Sequence, residues 1–112
     1  MRIAWIDYDL EFVEIFKRQI EREYVVQLFR DISLDEFERA HGFINEFDGA
    51  LVHPGIDNQK YFINDFPREH PNLRFALISP LPQDYKNERI PVLSYFKMKS
   101  VAEFFGLEKK LE

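Results

Sequence analysis

The chain has 112 residues, which is enough for one compact domain with its own core and too few for two ordinary domains. Hydrophobic residues make up 46% and charged residues 31%, a globular composition, and the net charge of −5 argues against non-specific binding to nucleic acid. Cysteine is absent, which excludes disulfides and thiolate catalysis, and the first apolar run is too short for a signal sequence or a membrane span. We therefore expect a cytoplasmic protein with one domain over residues 1–110 and a candidate vector-derived end at Leu111 and Glu112.

Short apolar runs alternate with amphipathic segments five times, which predicts strands joined by crossover helices in a mainly parallel sheet. The first half of the chain predicts strands at 2–6 and 24–29 and a helix between them that ends near Glu23. A second helix should begin at the capping-box spacing of Ser33 and Glu36. The apolar positions expected on one face of that helix are Phe37, Ala40, Ile44 and Phe47.

The second half of the chain opens on an apolar run at 50–53, which lacks alternation and is typical of a central strand covered on both faces. A third helix capped by Asp57, a strand at 75–78 and a strand at 91–96 should follow. The interval between these two strands is poor in large apolar residues, so the fourth crossover helix should be short or absent. The last helix is expected to begin at a second capping-box spacing, Ser100 to Glu103.

Ligands of open parallel sheets bind beyond the carboxyl ends of the strands, so the residues that directly follow the apolar runs are the candidates for a site. These residues are Asp7, Asp9, His53, Ser79 and Lys97. Their order and spacing resemble the active-site layout of response-regulator receiver domains in two-component signalling. The resemblance covers nearly the whole chain and is carried by Ile3 to Asp9, His53 to Asn58, Ile78-Ser79 and Phe96-Lys97.

The resemblance implies a flavodoxin-like (βα)5 fold, a three-layer sandwich whose parallel five-stranded sheet has strand order 2-1-3-4-5. Asn58 would stand where the family has its turn glycine. This substitution is compatible with the turn, because asparagine tolerates left-handed backbone. Asp7, Tyr8, Asp9, His53, Ser79 and Lys97 would form the phosphorylation pocket.

Three departures from the family pattern indicate that this pocket is degenerate. His53 stands where the family has its phosphate-accepting aspartate, and an imidazole neither forms an acyl phosphate nor supplies the oxygen ligand that Mg²⁺ prefers. Tyr8 replaces one acid of the acidic pair, and Met98 replaces the proline that follows the lysine. Mg²⁺ binding should therefore be weak or absent, and no other cofactor is expected.

The individual pocket residues leave several interpretations open. His53 either fills the former phosphate pocket beside Asp7 or Asp9, or acts as a pH-sensitive group, or ligates a transition metal together with those two acids. Lys97 should form an ion pair with Asp7 or Asp9, because no phosphate is present to hold it. Ser79 either makes a turn hydrogen bond or keeps the switch role of the family.

The favoured function is a phosphorylation-independent receiver-like module that acts through protein–protein interaction, with a signalling protein, an output domain or a second copy as the partner. Its candidate interaction face is formed by Tyr95, Phe96 and Met98, although strand alternation allows only one of Tyr95 and Phe96 to be exposed. No direct contact with nucleic acid or membrane is expected. The alternative is a small-ligand or metal-sensing pocket that uses His53, Asp7 and Lys97. Catalysis is not expected, because the sequence has neither a G-x-S-x-G elbow nor a glycine-rich phosphate loop.

Overall fold

A computed structural model describes residues 1–39 and 41–111, and its centre is a five-stranded, all-parallel sheet. The strands are β1 (Arg2–Asp7), β2 (Leu28–Ser33), β3 (Gly49–Val52), β4 (Arg74–Ser79) and β5 (Val92–Ser94). Their order in the sheet is β2-β1-β3-β4-β5. This topology confirms the predicted flavodoxin-like α/β fold. Two residues with sequence predictions, Ala40 in the second helix and Glu112 at the candidate vector-derived end, lie outside the described residues.

Helices cover both faces of the sheet. They are α1 (Leu10–Glu23), α2 (Leu34–Arg39), α3 (Gly55–Lys60), α4 (Phe66–Glu69) and α5 (Met98–Phe104). A π-helical turn, Tyr61–Asp65, joins α3 to α4, and a 3₁₀ turn, His41–Glu46, precedes β3. The crossover from β4 to β5 holds only a 3₁₀ turn, Pro82–Tyr85, which agrees with the predicted short or absent fourth helix. No helix within residues 1–39 and 41–111 is long and apolar enough to span a membrane.

The alternation of side chains along the central strands builds two apolar clusters, one on each face of the sheet. Ile3 and Trp5 of β1 point toward α1 and α5, whereas Ala4 and Ile6 point to the opposite face. The opposite face is covered mainly by phenylalanine rings: Phe37, Phe47, Phe62, Phe66 and Phe75 are all buried there. Large rings therefore fill much of this core.

The second strand begins later than the sequence predicts. β2 spans Leu28–Ser33, so the predicted strand at 24–29 was wrong in its placement. Tyr24 instead forms an isolated antiparallel bridge with Lys109, and the amide of Val25 donates to the carbonyl of Glu108 at 2.8 Å. The backbone at Tyr24 and Val25 thus pairs with the carboxyl-terminal segment, which sequence periodicity does not reveal.

The helix starts divide into one confirmed and two incorrect predictions. The amide of Glu36 donates to the Ser33 hydroxyl at 3.0 Å, as the first capping box predicts. The second capping box is wrong, because α5 begins at Met98 and Ser100 lies inside its first turn. The predicted Asp57 cap is also wrong, because α3 begins at Gly55 and Asp57 lies inside its first turn. The left-handed residue of the loop after β3 is Gly55, with a φ of 70°, whereas Asn58 lies within α3.

Candidate functional site

Strand alternation brings three candidate side chains to the same side of the sheet. Asp7 follows Ile3 and Trp5 in phase along β1, and His53 follows Leu51. Tyr95, one residue beyond β5, belongs to the same apolar cluster. All three therefore lie at the carboxyl ends of their strands on the side covered by α1 and α5, at the edge where parallel sheets place their ligands.

Asp7 is a buried carboxylate whose two oxygens both accept hydrogen bonds. Asp7 is 1% exposed, and its Oδ2 accepts a hydrogen bond from the hydroxyl of Tyr95, a residue that is also 1% exposed. Its Oδ1 accepts from the amide of Asp9 at 3.2 Å. Burial, together with the neighbouring Asp7 charge and this hydrogen bond, raises the pKa of Tyr95 well above its ordinary value. The phenol therefore remains a donor, and the buried charge is stabilised.

His53 fills the space beside this pair. Its Nδ1 lies 3.5 Å from Asp7 Oδ1, and its Nε2 lies 3.4 Å from the Tyr85 hydroxyl. The ring is 8% exposed and contacts the rings of Tyr8 and Tyr95 at centroid distances of 5.0 and 5.8 Å. This placement agrees with the interpretation in which His53 lies beside Asp7.

Tyr85 is a site residue that sequence reasoning missed. It ends the 3₁₀ turn of the fourth crossover, and its hydroxyl lies 3.4 Å from Nε2 of His53. Burial raises the pKa of Tyr85, and the charges of Tyr8, Asp84 and Asp7 act in the same direction. The only signal in the sequence was an isolated aromatic in an otherwise polar crossover, and its target depends on the folded position of that crossover.

Lys97 is not part of the pocket. Its side chain is exposed, and it takes part in none of the ion pairs among residues 1–39 and 41–111, so the predicted pair with Asp7 or Asp9 is not formed. β5 ends at Ser94 and α5 begins at Met98, with Lys97 as its cap. The chain has therefore turned away from the pocket before the lysine, and the Tyr95 hydroxyl occupies the position beside Asp7.

Ser79 makes a turn hydrogen bond rather than a contact with the acids. Its hydroxyl accepts from the amide of Leu81 at 3.0 Å, and the side chain is 1% exposed. Alternation after Ala76 and Ile78 directs Ser79 to the face opposite Asp7. This geometry favours the turn role over the switch role for the serine.

The predicted interaction face is reduced to one residue. Tyr95 and Met98 are 1% and 8% exposed, so neither is a surface contact, whereas Phe96 is 69% exposed. Strand alternation required one of Tyr95 and Phe96 to be buried, and that residue is Tyr95. Phe96 lies against α1, with its ring centroid 6.0 Å from that of Phe16.

A shallow cavity of about 190 Å³ opens over this site. Its lining residues are Asp7, Tyr8, Asp9, Phe12, His53, Pro80 and Tyr95. Asp9 is exposed and caps α1, since its Oδ1 accepts from the amide of Phe12 at 3.1 Å. Among the described residues, no group of three or more His, Cys, Asp or Glu side chains is placed to hold a metal ion.

No family model matches this chain, and no curated protein or solved structure is significantly similar to it. Strand order, burial and the contacts around Asp7 are therefore the basis for assigning a function.

Proposed function

We propose that this chain is a phosphorylation-independent receiver-like domain that acts through protein–protein contact in two-component-type signalling. The sheet order β2-β1-β3-β4-β5, with Asp7 ending β1 and His53 following β3, supports the assignment to this class. The observation that supports independence from phosphorylation is that Asp7 is buried and its Oδ2 accepts a hydrogen bond from the Tyr95 hydroxyl.

The chemistry of the pocket supports the same proposal. Mg²⁺ requires several oxygen ligands in near-octahedral geometry, and an imidazole supplies none. His53 lies 3.5 Å from Asp7 Oδ1, so a metal at that oxygen would meet the imidazole ring. Formation of an acyl phosphate needs a carboxylate at the end of β3, where this chain has His53. The proposed domain therefore lacks the carboxylate acceptor of a phosphorylated receiver and offers a poor ligand set for Mg²⁺.

The Tyr95–Asp7 hydrogen bond gives a physical reason for a constant conformation. It ties the segment after β5 to the end of β1, inside a layer where both side chains are fully buried. Moving Tyr95 outward would leave a buried carboxylate with one donor fewer, which costs about 1–3 kcal/mol. We infer that the domain presents the same surface, including the exposed Phe96, whether or not phosphate donors are present.

The proposed partner is a protein: a signalling protein, an output domain or a second copy of this chain in the cytoplasm. Phe96 supports this part of the proposal, because an exposed aromatic ring backed by a second ring is a suitable interface anchor. Sedimentation velocity over a range of concentrations separates the partners. A dimer that Phe96→Ala dissociates assigns the surface to a second copy, and a monomer assigns it to another protein.

Incubation with acetyl phosphate and Mg²⁺, followed by intact-mass spectrometry, tests the independence from phosphorylation. We expect no stable phosphorylated species of this chain, while an ordinary receiver domain in the same tube becomes labelled. A stable adduct on the wild-type chain would contradict the proposal.

The second candidate function is a ligand-sensing pocket, and the cavity over Asp7 and His53 is the observation that favours it. The version that uses Lys97 has no support, because this side chain is absent from the cavity lining. Thermal-shift screening against small cations and anions tests the candidate. If no screened ligand changes the melting temperature, the ligand-sensing function is ruled out.

A further inference from the structure

The cavity over the pocket is walled by aromatic rings in a continuous series of contacts. Tyr8 contacts His53, His53 contacts Tyr95, and Tyr95 contacts Phe12, with centroid distances of 5.0, 5.8 and 5.0 Å. The successive interplanar angles are 31°, 89° and 65°. Rings that meet at such angles form a corner around the cavity rather than a flat stack.

The charges of the lining favour a cation. Asp7, which is 1% exposed, and the exposed Asp9 both line the cavity, whereas His53 is the one basic side chain among the described lining residues. The face of an aromatic ring is the negative part of its quadrupole and attracts cations. The amino end of α1 adds partial positive charge, which the capping carboxylate of Asp9 offsets.

The hydrogen bonds of the lining distinguish between kinds of cation. Both Asp7 oxygens already accept, from Tyr95 and from the Asp9 amide, and Asp9 Oδ1 accepts from the Phe12 amide. The exposed Asp9 Oδ2 is the one oxygen of these two carboxylates without a donor among the described residues. A primary ammonium has three N–H donors, which would lose their water partners and find few free acceptors here. A quaternary ammonium has no N–H donor, and it retains the attraction of the rings and of the two carboxylates.

We propose that this cavity binds a methylated ammonium group, such as a trimethylammonium head. The volume of about 190 Å³ suits one small head group rather than a whole cofactor, since drug-sized pockets begin at about 300 Å³. Tyr8, which is 62% exposed, forms the outer wall of the site. The group can come from a free quaternary amine or from a trimethylated lysine of a protein. The proposal rests on the second candidate function, since it names a ligand class for the same cavity. It does not depend on the proposed signalling role, because neither a phosphate donor nor Phe96 takes part in the site.

Amide NMR titration of the whole chain tests this proposal. The probes are tetramethylammonium chloride, choline chloride and a short trimethyl-lysine peptide, with sodium chloride, sodium phosphate and the unmethylated peptide as controls. We expect saturable shifts confined to residues 7–12, 53 and 95 for the methylated probes, and none for the controls. Tighter binding of the peptide assigns the site to a protein side chain, whereas equal affinities assign it to a free amine.

Matched variants make the result specific to the cavity. Tyr8→Ala should weaken binding by about fivefold or more, because one ring face is lost, and Tyr8→Phe should retain it. Phe96→Ala removes an exposed ring outside the cavity and should change nothing. The proposal is overturned by the absence of saturable shifts, by phosphate binding at the same amides, or by equal affinities of the wild type and Tyr8→Ala. None of these outcomes bears on acetyl-phosphate labelling, so this proposal and the proposed function fail separately.

Discussion

The hydroxyl of Tyr95 donates a hydrogen bond to Asp7 Oδ2 from the far end of the chain, 88 residues away in sequence. The two residues follow strands that are not neighbours, because β3 and β4 lie between β1 and β5 in the sheet. The tyrosine therefore crosses the carboxyl ends of the central strands, and its ring contacts that of His53 at a centroid distance of 5.8 Å. This relationship is the basis of the first three predictions.

Replacing Tyr95 by phenylalanine should change how stability depends on alkaline pH. The pKa of Tyr95 is raised in the folded chain, so its contribution to stability is complete below the unfolded value of about 10 and is lost as the pH rises toward the folded value. The stability difference between wild type and Tyr95→Phe should shrink by about 1.4 kcal/mol for each pH unit above 10. Urea denaturation at about pH 7 and pH 11 measures it. The other tyrosines are common to both proteins and cancel, so a difference that stays constant with pH would be the contrary result.

A double-mutant cycle should measure a favourable coupling between the same two side chains. Tyr95→Phe removes the donor, Asp7→Asn removes the charge, and the double variant removes both. Because a hydrogen bond to a buried charge is stronger than a neutral one, we expect a coupling energy of about 1–3 kcal/mol from denaturant unfolding at neutral pH. Additive effects of the two substitutions would show that the contact contributes nothing.

Replacing His53 by aspartate should not make this chain accept a phosphoryl group. The new carboxylate would stand close to Asp7, whose oxygen now lies 3.5 Å from the imidazole, and two buried like charges destabilise the fold at neutral pH. We expect a lower melting temperature than that of His53→Asn near pH 7, with partial recovery near pH 5 as one carboxyl is protonated. Acetyl-phosphate labelling should remain absent, because the Tyr95 hydroxyl still donates to Asp7 Oδ2 and Lys97 still lies outside the pocket. Stable labelling of His53→Asp would overturn this expectation.

Substitutions of two phenylalanines, the buried Phe66 and the exposed Phe96, should distinguish a core residue from a residue of the proposed interaction surface. Phe66 is fully buried and packs against the rings of Phe37, Phe62 and Phe75 at centroid distances of 4.7 to 5.8 Å. Phe66→Ala should lower the free energy of unfolding by about 3–5 kcal/mol, since it leaves a cavity. Phe96→Ala should lower it by less than about 1 kcal/mol, because this ring is 69% exposed. Equal losses in urea denaturation would place Phe96 in the core and remove it as an interface residue.

Much of the fold follows from the sequence, because buried parallel strands and amphipathic helices leave strong patterns. The unbroken apolar runs of β3 and β4 were found nearly in place, and so was α1. β2 was misplaced, since the apolar run around Tyr24 and Val25 pairs with the carboxyl-terminal segment rather than with the sheet. A contact between distant parts of the chain determines where β2 begins, and local periodicity contains no information about that contact.

The site was predictable in its location and only partly in its contacts. Asp7 and His53 come together because parallel strands end at one edge, which the strand order alone implies. Tyr95, and not Lys97 as predicted, contacts Asp7, because the end of β5 fixes which of the two side chains faces that carboxylate. A three-residue strand has too little pattern to locate that end from the sequence.

Amide NMR of the wild-type chain with Mg²⁺ and beryllofluoride tests the independence from phosphorylation most directly, because beryllofluoride imitates a phosphoryl group on a carboxylate. The buried Tyr95–Asp7 pair and the imidazole at the end of β3 predict a spectrum that stays unchanged as the reagents are added. Saturable shifts around Asp7, Ser79 and Lys97 would contradict that prediction.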